Sequence, residues 1–151
     1  MEPTSIIGLL SNVGEAVSLL KQCYESIRDA PEGLAIVVSQ ASSFQQELDR
    51  VSSMQRLLPE KTQQYLEEQI KTEECVSTIQ ELQLLVKRIK PTWESLSGQS
   101  ETDRAKEQMK LKERIKWLWS KDDAKKLAEK LARQADRVFR AMISAMLYVE
   151  T

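Results

Sequence analysis

The sequence predicts an all-α protein, an antiparallel bundle of four long helices with one additional short helix. Hydrophobic residues make up 41% of the 151 residues and charged residues 30%, whereas Gly and Pro number only four each. This composition is typical of helices. Apolar residues recur at steps of three and four, and no segment alternates for long enough to predict a strand. A chain of this length can bury one core, so we expect a single domain over residues 1–151.

The first helix is predicted over roughly residues 4–28. Pro3 suits a first helical turn. From Pro3 to Gly14 the chain carries no charge, and only Glu15 interrupts this stretch as far as Leu20. The apolar residues at helical spacing are Ile6, Leu9, Leu10, Val13, Val17, Leu20, Tyr24 and Ile27.

The second helix begins after a break at Asp29 and Ala30, because Pro31 favours the first helical position. Gln55 alone interrupts its apolar alternation, which is typical of the seam between helices in a bundle. Pro59 is expected to end this pattern. The seam residues are Leu34, Val37, Ala41, Phe44, Leu48, Val51 and Leu58.

The third helix is predicted from after Pro59 to about Lys90, with room for a bend after its first turns. Pro91 is expected to stop it, and residues 91–100, rich in Ser, Gly and Pro, are predicted to form the longest loop. Its apolar residues are Tyr65, Leu66, Ile70, Cys75, Ile79, Leu82, Val86 and Ile89.

Two further helical segments follow the loop. A shorter helix is predicted from about Glu101 to Leu118, and a boundary at Ser120 or Lys121 precedes the last helix. The predicted core stripe of the last helix comprises Leu127, Leu131, Ala135, Val138, Met142, Ala145 and Val149. A second set at helical spacing is also expected to lie in the core: Met142, Ile143, Met146 and Leu147.

The charges are unevenly distributed along the chain, although the net charge is only -1. Residues 1–100 carry 9 Lys and Arg against 14 Asp and Glu, whereas residues 101–151 carry 13 against 9. Basic residues near an acidic lipid surface contribute about 1 kcal/mol each, so the last third fits an anionic partner. A solvated helix face with interleaved acidic residues explains the same pattern.

The chain lacks the residue patterns of common catalytic and metal sites. It has no His, the commonest general base and metal ligand. Adjacent carboxylates such as Glu67 and Glu68 do not face each other on a helix and indicate a solvated face. No Gly-rich phosphate loop or CxxC motif occurs, and the basic residues are interleaved with acidic ones. We expect no enzyme activity, no cofactor, no metal site and no nucleic-acid partner.

The two cysteines and the N-terminal residues favour a cytoplasmic protein. Cys23 and Cys75 lie in separate apolar stretches without partners at metal spacing, so both are expected to be buried thiols of a reducing compartment. No basic residues precede the apolar start and no convincing cleavage site follows it, so a secretory signal is not predicted.

The first helix is the main candidate for function. Its apolar span is shorter than the about 20 residues of an ordinary membrane-crossing helix, and Glu15 inside such a span costs roughly 2.5 to 3.5 kcal/mol. In an oligomer, Ser11, Asn12 and Glu15 can line a polar interior. The residues facing lipid are then Ile6, Ile7, Leu10 and Val17. For the resting protein, a helix of the bundle core is the alternative interpretation.

The second candidate is a basic and aromatic segment over residues 110–121. Trp side chains favour membrane interfaces, and flanking Lys and Arg side chains contact anionic headgroups. Alternatively, Trp117 or Trp119 caps one end of the bundle core, since residues two apart on a helix point to nearly opposite sides. The anionic-lipid candidates are Lys110, Lys112, Arg114, Lys116, Trp119 and Lys121.

Short motifs occur in a particular order across nearly the whole chain. They are Pro3, Ser5, Ile6 and Gly8, the turn Asp29-Ala30-Pro31-Glu32, the segment from Cys75 to Leu85, and Arg114-Ile115-Lys116-Trp117 followed by Lys-Lys-Leu-Ala-Glu-Lys-Leu at 125–131. In this order and spacing, the motifs resemble the N-terminal domains of fungal NLR-like (STAND) proteins. Within these, the HeLo-like group is the most similar.

The resemblance implies a cytosolic helical bundle ahead of a nucleotide-binding NACHT-type module or another sensor, in the same or a partner chain. When the sensor oligomerises, such a domain acts as a cell-death effector in innate immunity and heterokaryon incompatibility. Its first helix is then released to permeabilise the plasma membrane. The same resemblance extends to the four-helix bundle of the mixed-lineage kinase-like pseudokinase of animals and to the coiled-coil domains of plant helper immune receptors.

Applied to this sequence, the resemblance implies a membrane-active helix over residues 4–20. Its lipid-facing candidates are Ile6, Ile7, Leu9, Leu10, Val13 and Val17. The implied partners are further copies of the chain, anionic membrane lipids and the sensor module, and the implied location is the cytoplasm with movement to the plasma membrane on activation. Gly8 and Gly14 are six residues apart and form no small-xxx-small pair, which departs from the family pattern.

No low-complexity amyloid-forming tail follows the last helix, which is a second departure from the family pattern. Because the chain stops at Thr151 directly after this helix, we expect it to be the N-terminal part of a longer protein. A homotypic adaptor domain that oligomerises without acting on membranes is the alternative function. In that case the apolar first helix serves packing alone.

Overall fold

The computed structural model describes residues 5–26, 32–94, 106, 109–110, 113 and 121–150, and for residues 91–94, 121 and 148–150 it describes the backbone alone. Nearly all of these residues are helical, and none of them lies in a strand. The predicted all-α bundle of four long helices with one short helix is confirmed. The helices within these ranges are α1 (Ile6–Ser26), α2 (Glu32–Gln55), α3 (Glu60–Ile70), α4 (Thr72–Glu94) and α5 (Lys121–Glu150).

The start of α1 is set by a serine cap. The Ser5 hydroxyl oxygen accepts a hydrogen bond from the Gly8 N–H over 3.1 Å, which satisfies one of the backbone donors that the first turn leaves without an intrahelical partner. Helix α2 begins at Glu32, whose carboxylate complements the positive end of the helix dipole. Both starts lie within two residues of the predicted ones, because caps and charges in a first turn are local signals.

Helix α2 is the centre of the bundle. It packs most extensively against α5 and next against α1, while α1 also packs against α4 and α3 against α5. An added Cβ on Gly33 would lie 2.9 Å from the Ala124 Cβ. Since both residues are near the start of their helix, α2 and α5 run side by side in the same direction.

The remaining long helices run antiparallel to their neighbours in sequence. Gly14 in α1 lies beside Gln45 in α2, and only five residues connect these two helices, so they form an antiparallel pair. In the other half, Glu81 of α4 pairs with Lys130 of α5, whereas the earlier Glu74 pairs with the later Arg137. Helices α4 and α5 are therefore antiparallel as well.

The predicted seams form the core. Six of the seven predicted α2 positions are buried, and Leu58, which lies beyond the helix end, is partly buried. Tyr24 was expected in the α1 seam but is exposed. The largest fully buried side chains, which come from every described helix, are Phe44, Ile6, Leu9, Leu20, Leu34, Leu48, Leu66, Ile70, Leu82 and Leu131.

Where the sequence predicted one continuous third helix, the structure has two helices, α3 and α4. The prediction of a continuous helix was wrong. Lys71 separates α3 from α4 in a left-handed conformation, with φ 57 and ψ 65. Its N–H donates to the carbonyl oxygens of Glu67 and Glu68 at 3.2 and 3.3 Å, which closes the end of α3 as a left-handed cap does. Thr72 then opens α4, followed by Glu73 and Glu74 in its first turn.

The expected stop at Pro91 was also wrong, because α4 continues through this residue to Glu94. Proline has no N–H and removes one hydrogen bond of the helix ladder. Pro91 lies in the last turns of α4, where few backbone hydrogen bonds remain, so the loss of this one bond costs less than it would in the middle of a helix. Residues 95–100 of the predicted loop lie outside the described residues.

The end of α5 differs from prediction as well. Its predicted core stripe is confirmed from Leu127 to Ala145, with Met142 partly buried against the core. However, Ile143, Met146 and Leu147 are exposed rather than in the core. They occupy the solvent side of α5, because the small residues Ala135, Ala141 and Ala145 take the inner positions. The predicted helix from 101 to 118 lies mostly outside the described residues.

Candidate functional site

Helix α1 has an apolar face that is completely enclosed by the bundle. Ile6, Leu9, Val13 and Val17, four of the six membrane-insertion candidates, are buried with 2% exposure or less. They follow one another at steps of three and four, so they form a single stripe. Leu10 is partly buried at its edge. In the resting bundle this stripe is a packing surface against α2 and α4.

Ile7 is the exception among these candidates. Its side chain is 57% exposed, and it lies one turn from Ser11 on the solvent face of α1. The structure therefore separates Ile7 from the other five candidates. Because an exposed isoleucine contributes little to the core, this position can be changed without disturbing the bundle.

The three pore-lining candidates, Ser11, Asn12 and Glu15, are all exposed. Asn12 and Glu15 border a groove between α1 and α4, whose opposite wall includes Lys87 and Lys90. The acidic side chain of α1 thus faces basic side chains of α4 across this groove. The buried apolar candidates and the polar candidates occupy opposite sides of α1, with Ile7 on the polar side, which is the arrangement of an amphipathic helix.

Most of the basic and aromatic segment lies outside the described residues. Lys110 is helical and exposed. Lys112, Arg114, Lys116, Trp117 and Trp119 lie outside the described residues, as does the side chain of Lys121. The anionic-lipid role of this segment stays a prediction.

A polar seam holds α5 against α4. The Gln134 side-chain amide donates to the Thr78 hydroxyl oxygen at 2.6 Å and to the Glu74 carbonyl oxygen at 3.2 Å. Gln134 and Thr78 are both buried. The Lys130 ammonium group donates to the Glu81 carboxylate at 2.9 Å near the protein surface. Sequence reasoning did not find this seam, since polar residues on two distant helices carry no periodic signal.

Electrostatics within the seam affect one carboxylate. The Arg137 guanidinium group donates a hydrogen bond to Glu74, and this bond together with the Arg137 charge holds the pKa of Glu74 below its usual value. The side chains are well exposed, so solvent screens the interaction.

Both cysteines are buried free thiols, as predicted. Burial raises the pKa of Cys23 and of Cys75 to about 11, because the charged thiolate loses its hydration. Cys23 lies on α1 and Cys75 on α4, so the two thiols report on different helices. Among the described residues, no group of three or more acidic or cysteine side chains is arranged to hold a metal ion.

None of the helices in the described ranges is both long and apolar enough to cross a membrane. No known protein family, curated protein or solved structure matches the chain. The resemblance to the HeLo-like group of fungal NLR-like proteins remains a prediction.

Proposed function

We propose that this chain is a cell-death effector domain of a fungal NLR-like immune receptor, inert when packed and able to permeabilise the plasma membrane when clustered. Helix α1 is the active element. The observation that carries the proposal is the division of α1 into an enclosed apolar stripe and an exposed face with Ser11, Asn12 and Glu15. An amphipathic helix of this kind can exchange a protein core for the apolar part of a bilayer.

The burial of α1 explains why the resting protein is inert. Five large aliphatic side chains would meet water if α1 left the bundle: Ile6, Leu9, Val13, Val17 and Leu20. At about 1.5 to 3 kcal/mol each, their exposure costs roughly 8 to 15 kcal/mol. This is comparable with the whole stability of a typical domain, about 5 to 15 kcal/mol. Release therefore requires a second apolar environment that receives the same stripe.

Under this proposal, several copies of α1 act together in the membrane. A single α1 would carry Glu15 into the lipid at a cost of about 3 kcal/mol. When several copies insert together, Ser11, Asn12 and Glu15 can face a shared aqueous interior while the apolar stripe faces lipid. A sensor module of the NACHT type, in the same or a partner chain, supplies the clustering that moves the protein from cytoplasm to membrane.

The basic segment supplies the first contact with anionic lipids under this proposal. Replacing Lys112, Lys116 and Lys121 with Glu is expected to reduce co-sedimentation with anionic vesicles at low salt, because headgroup attraction is screened as salt rises. Unchanged binding would remove this role from the segment.

A disulfide lock between α1 and α2 tests the proposal directly. The variant G14C/Q45C places one thiol on each of these helices where they are in contact, since an added Cβ on Gly14 would lie 3.2 Å from the Gln45 side-chain nitrogen. A C-terminal histidine tag and chelating lipids concentrate the protein on dye-filled anionic vesicles. The oxidised variant is expected to release little dye, and reduction should restore release by the same sample.

The outcomes separate the two candidate functions. Equal leakage from oxidised and reduced protein would show that α1 need not leave the bundle. If wild-type protein causes no leakage even at the highest density of tethered protein on the vesicles, the homotypic adaptor is favoured. The variant I7E is a second probe, because Ile7 is already exposed and the bundle should tolerate the charge. If α1 enters lipid, I7E lowers dye release while its thermal stability stays close to wild type.

A further inference from the structure

Helix α5 exposes more large apolar side chains than its packing in the bundle requires. Phe139, Ile143, Met146 and Leu147 are 42%, 41%, 50% and 58% exposed. They recur at steps of four, three and one, so they share one side of α5. We call these four residues the α5 stripe. Scattered apolar side chains on a surface need no explanation, but a contiguous set on one helix face marks a contact surface.

The core packing of α5 does not involve this stripe. The inner face of the same helix carries Leu131, Val138 and Ala145, all fully buried. The polar seam through Gln134 and Arg137 faces α4. The described helices leave the stripe exposed, so it stays accessible to a partner while these helices are packed together.

The charges around the α5 stripe are balanced. On α5 itself, Asp136 pairs with Arg140 at 2.9 Å. The parallel alignment fixed at Gly33 and Ala124 brings residues 44–50 of α2 alongside residues 135–141 of α5. That part of α2 holds a second pair, Arg50 with Glu47, at 2.8 Å. A rim in which acidic and basic side chains alternate can pair with the same rim of a second copy. A surface that binds an anionic bilayer would instead carry an excess of basic side chains.

The size of the α5 stripe predicts a weak contact. A large apolar or aromatic side chain presents about 150 to 250 Å², so four residues about half exposed offer roughly 350 Å² of apolar surface. A stable complex buries about 800 Å² on each partner, of which a little more than half is apolar. The stripe and its charged rim together offer somewhat less area than a stable complex buries. We therefore expect an association that needs a high local concentration.

We propose that the α5 stripe is a self-association surface that binds the same stripe of a second copy across a two-fold axis. The contact is weak between free molecules and forms when copies are held together. Tethering raises the effective concentration to about the millimolar range, so a sensor that clusters its chains would engage it. This role in activation rests on the proposed function, but the contact itself forms without membranes and with α1 still in the bundle.

Sedimentation velocity in membrane-free buffer tests the proposal, over about 10 μM to about 1 mM protein. The wild-type sedimentation coefficient is expected to rise with concentration. I143E places a charge at the centre of the stripe and should weaken the association at least about tenfold. L84E is the matched control, since Leu84 on α4 is also a large exposed aliphatic residue, with 49% exposure against 41% for Ile143. L147D, at the most exposed stripe position, replaces I143E if the latter does not fold by circular dichroism.

A wild-type protein that stays monomeric over the whole range would overturn the proposal, as would equal effects of L84E and I143E. Vesicle binding without self-association, lost in I143E, would assign the stripe to lipid instead. The oxidised G14C/Q45C variant keeps α1 in place and should associate as wild type does. A failed dye-release experiment with intact association would therefore reject the membrane function and leave the α5 stripe as a contact between copies.

Discussion

Helices α1 and α5 use their apolar residues in opposite ways. In α1 most of the large aliphatic side chains are buried or partly buried, and Ile7, at 57%, is the one isoleucine or leucine of this helix that is exposed. In α5 many inner positions are alanines, while the α5 stripe holds large side chains at the surface. The close approach of Gly33 to Ala124 explains the alanines, because small residues let α2 and α5 pack tightly.

This difference indicates when each helix can act. The apolar stripe of α1 is unavailable until the helix leaves the bundle, so any activity of α1 needs a conformational change. The α5 stripe is available in the folded protein and can bind a second copy first. Association through α5 followed by release of α1 is the order that these two surfaces favour.

The largest expected effect contrasts a buried leucine of α1 with an exposed one of α5. L9A removes a side chain that is 1% exposed and leaves a cavity, so it should lower the free energy of unfolding by about 2 to 5 kcal/mol. L147A, at an exposed position of the α5 stripe, should change it by less than about 0.5 kcal/mol. Urea denaturation of both variants measures the contrast. Similar losses would mean that the stripe contributes to the fold.

The next effect concerns the glycine that sets the α2–α5 distance. G33A would place a Cβ against the Ala124 Cβ, which forces the helices apart and should cost about 1 to 3 kcal/mol. G14A is the control at the α1–α2 contact, where the neighbour is the flexible end of Gln45. There the higher helix propensity of alanine should give a gain of up to about 1 kcal/mol. Thermal unfolding compares the two, and a destabilised G14A would show that α1 is as tightly fitted as α5.

Lys71 joins the helix that packs on α5 to the helix that packs on α1. A lysine with positive φ is strained by its Cβ, so K71G should raise the free energy of unfolding by about 1 kcal/mol. K71A keeps the Cβ and serves as the control. A gain from K71A equal to that from K71G, measured by urea denaturation, would assign the effect to the lysine side chain instead of the backbone.

The rates at which the two cysteines react with a thiol reagent compare the opening of α1 with that of the rest of the bundle. Because burial raises the pKa of both cysteines to about 11, a thiol reagent at pH 8 reacts only when the structure opens. Without membranes, Cys23 and Cys75 should react at the same slow rate, since α1 does not leave alone. On vesicles that concentrate the protein, Cys23 should react several-fold faster. Mass spectrometry of the labelled peptides distinguishes the two, and equal rates on vesicles would contradict the separate release of α1.

The smallest effect concerns the ion pair between α5 and α4. Arg137 lowers the pKa of Glu74 in the folded state, so the pair stabilises the fold above the unfolded value of 4.5, and this contribution is lost as the pH falls through the lower folded value. E74Q should therefore be slightly less stable than wild type at pH 7 and equal to it in strong acid. A difference that persists in acid would point to packing, not charge. Unfolding curves across the pH range provide the measurement.

The sequence predicted most of the fold, because the apolar seams of α1, α2 and α5 are periodic and their ends carry caps, prolines or acidic first turns. It did not predict the break at Lys71, where neither Gly nor Pro marks the left-handed residue. Thr72, followed by two glutamates, was the local signal that a new helix begins.

The candidate site was predicted in part. The two faces of α1 follow from spacing alone, but the exposure of Ile7 depends on how α1 is rotated against α2. In α5 two apolar stripes lie side by side, one through Leu131 and Val138 and one through Phe139 and Ile143. Spacing predicted the first stripe correctly as core, but it did not show that Ile143, Met146 and Leu147 stay at the surface, because that depends on the fit of alanines against α2.

The buried amide of Gln134 has a consequence for which side of α5 is buried. A roll of α5 by about a quarter turn about its axis would bring Phe139 inward, but it would carry Leu131 and Val138 away from the centre of the core together with the alanines. Such a roll would pull the amide away from Thr78 and leave buried polar groups without partners. The hydrogen bonds of Gln134 thus favour the observed rotation of α5, in which Phe139 and Ile143 are turned outward.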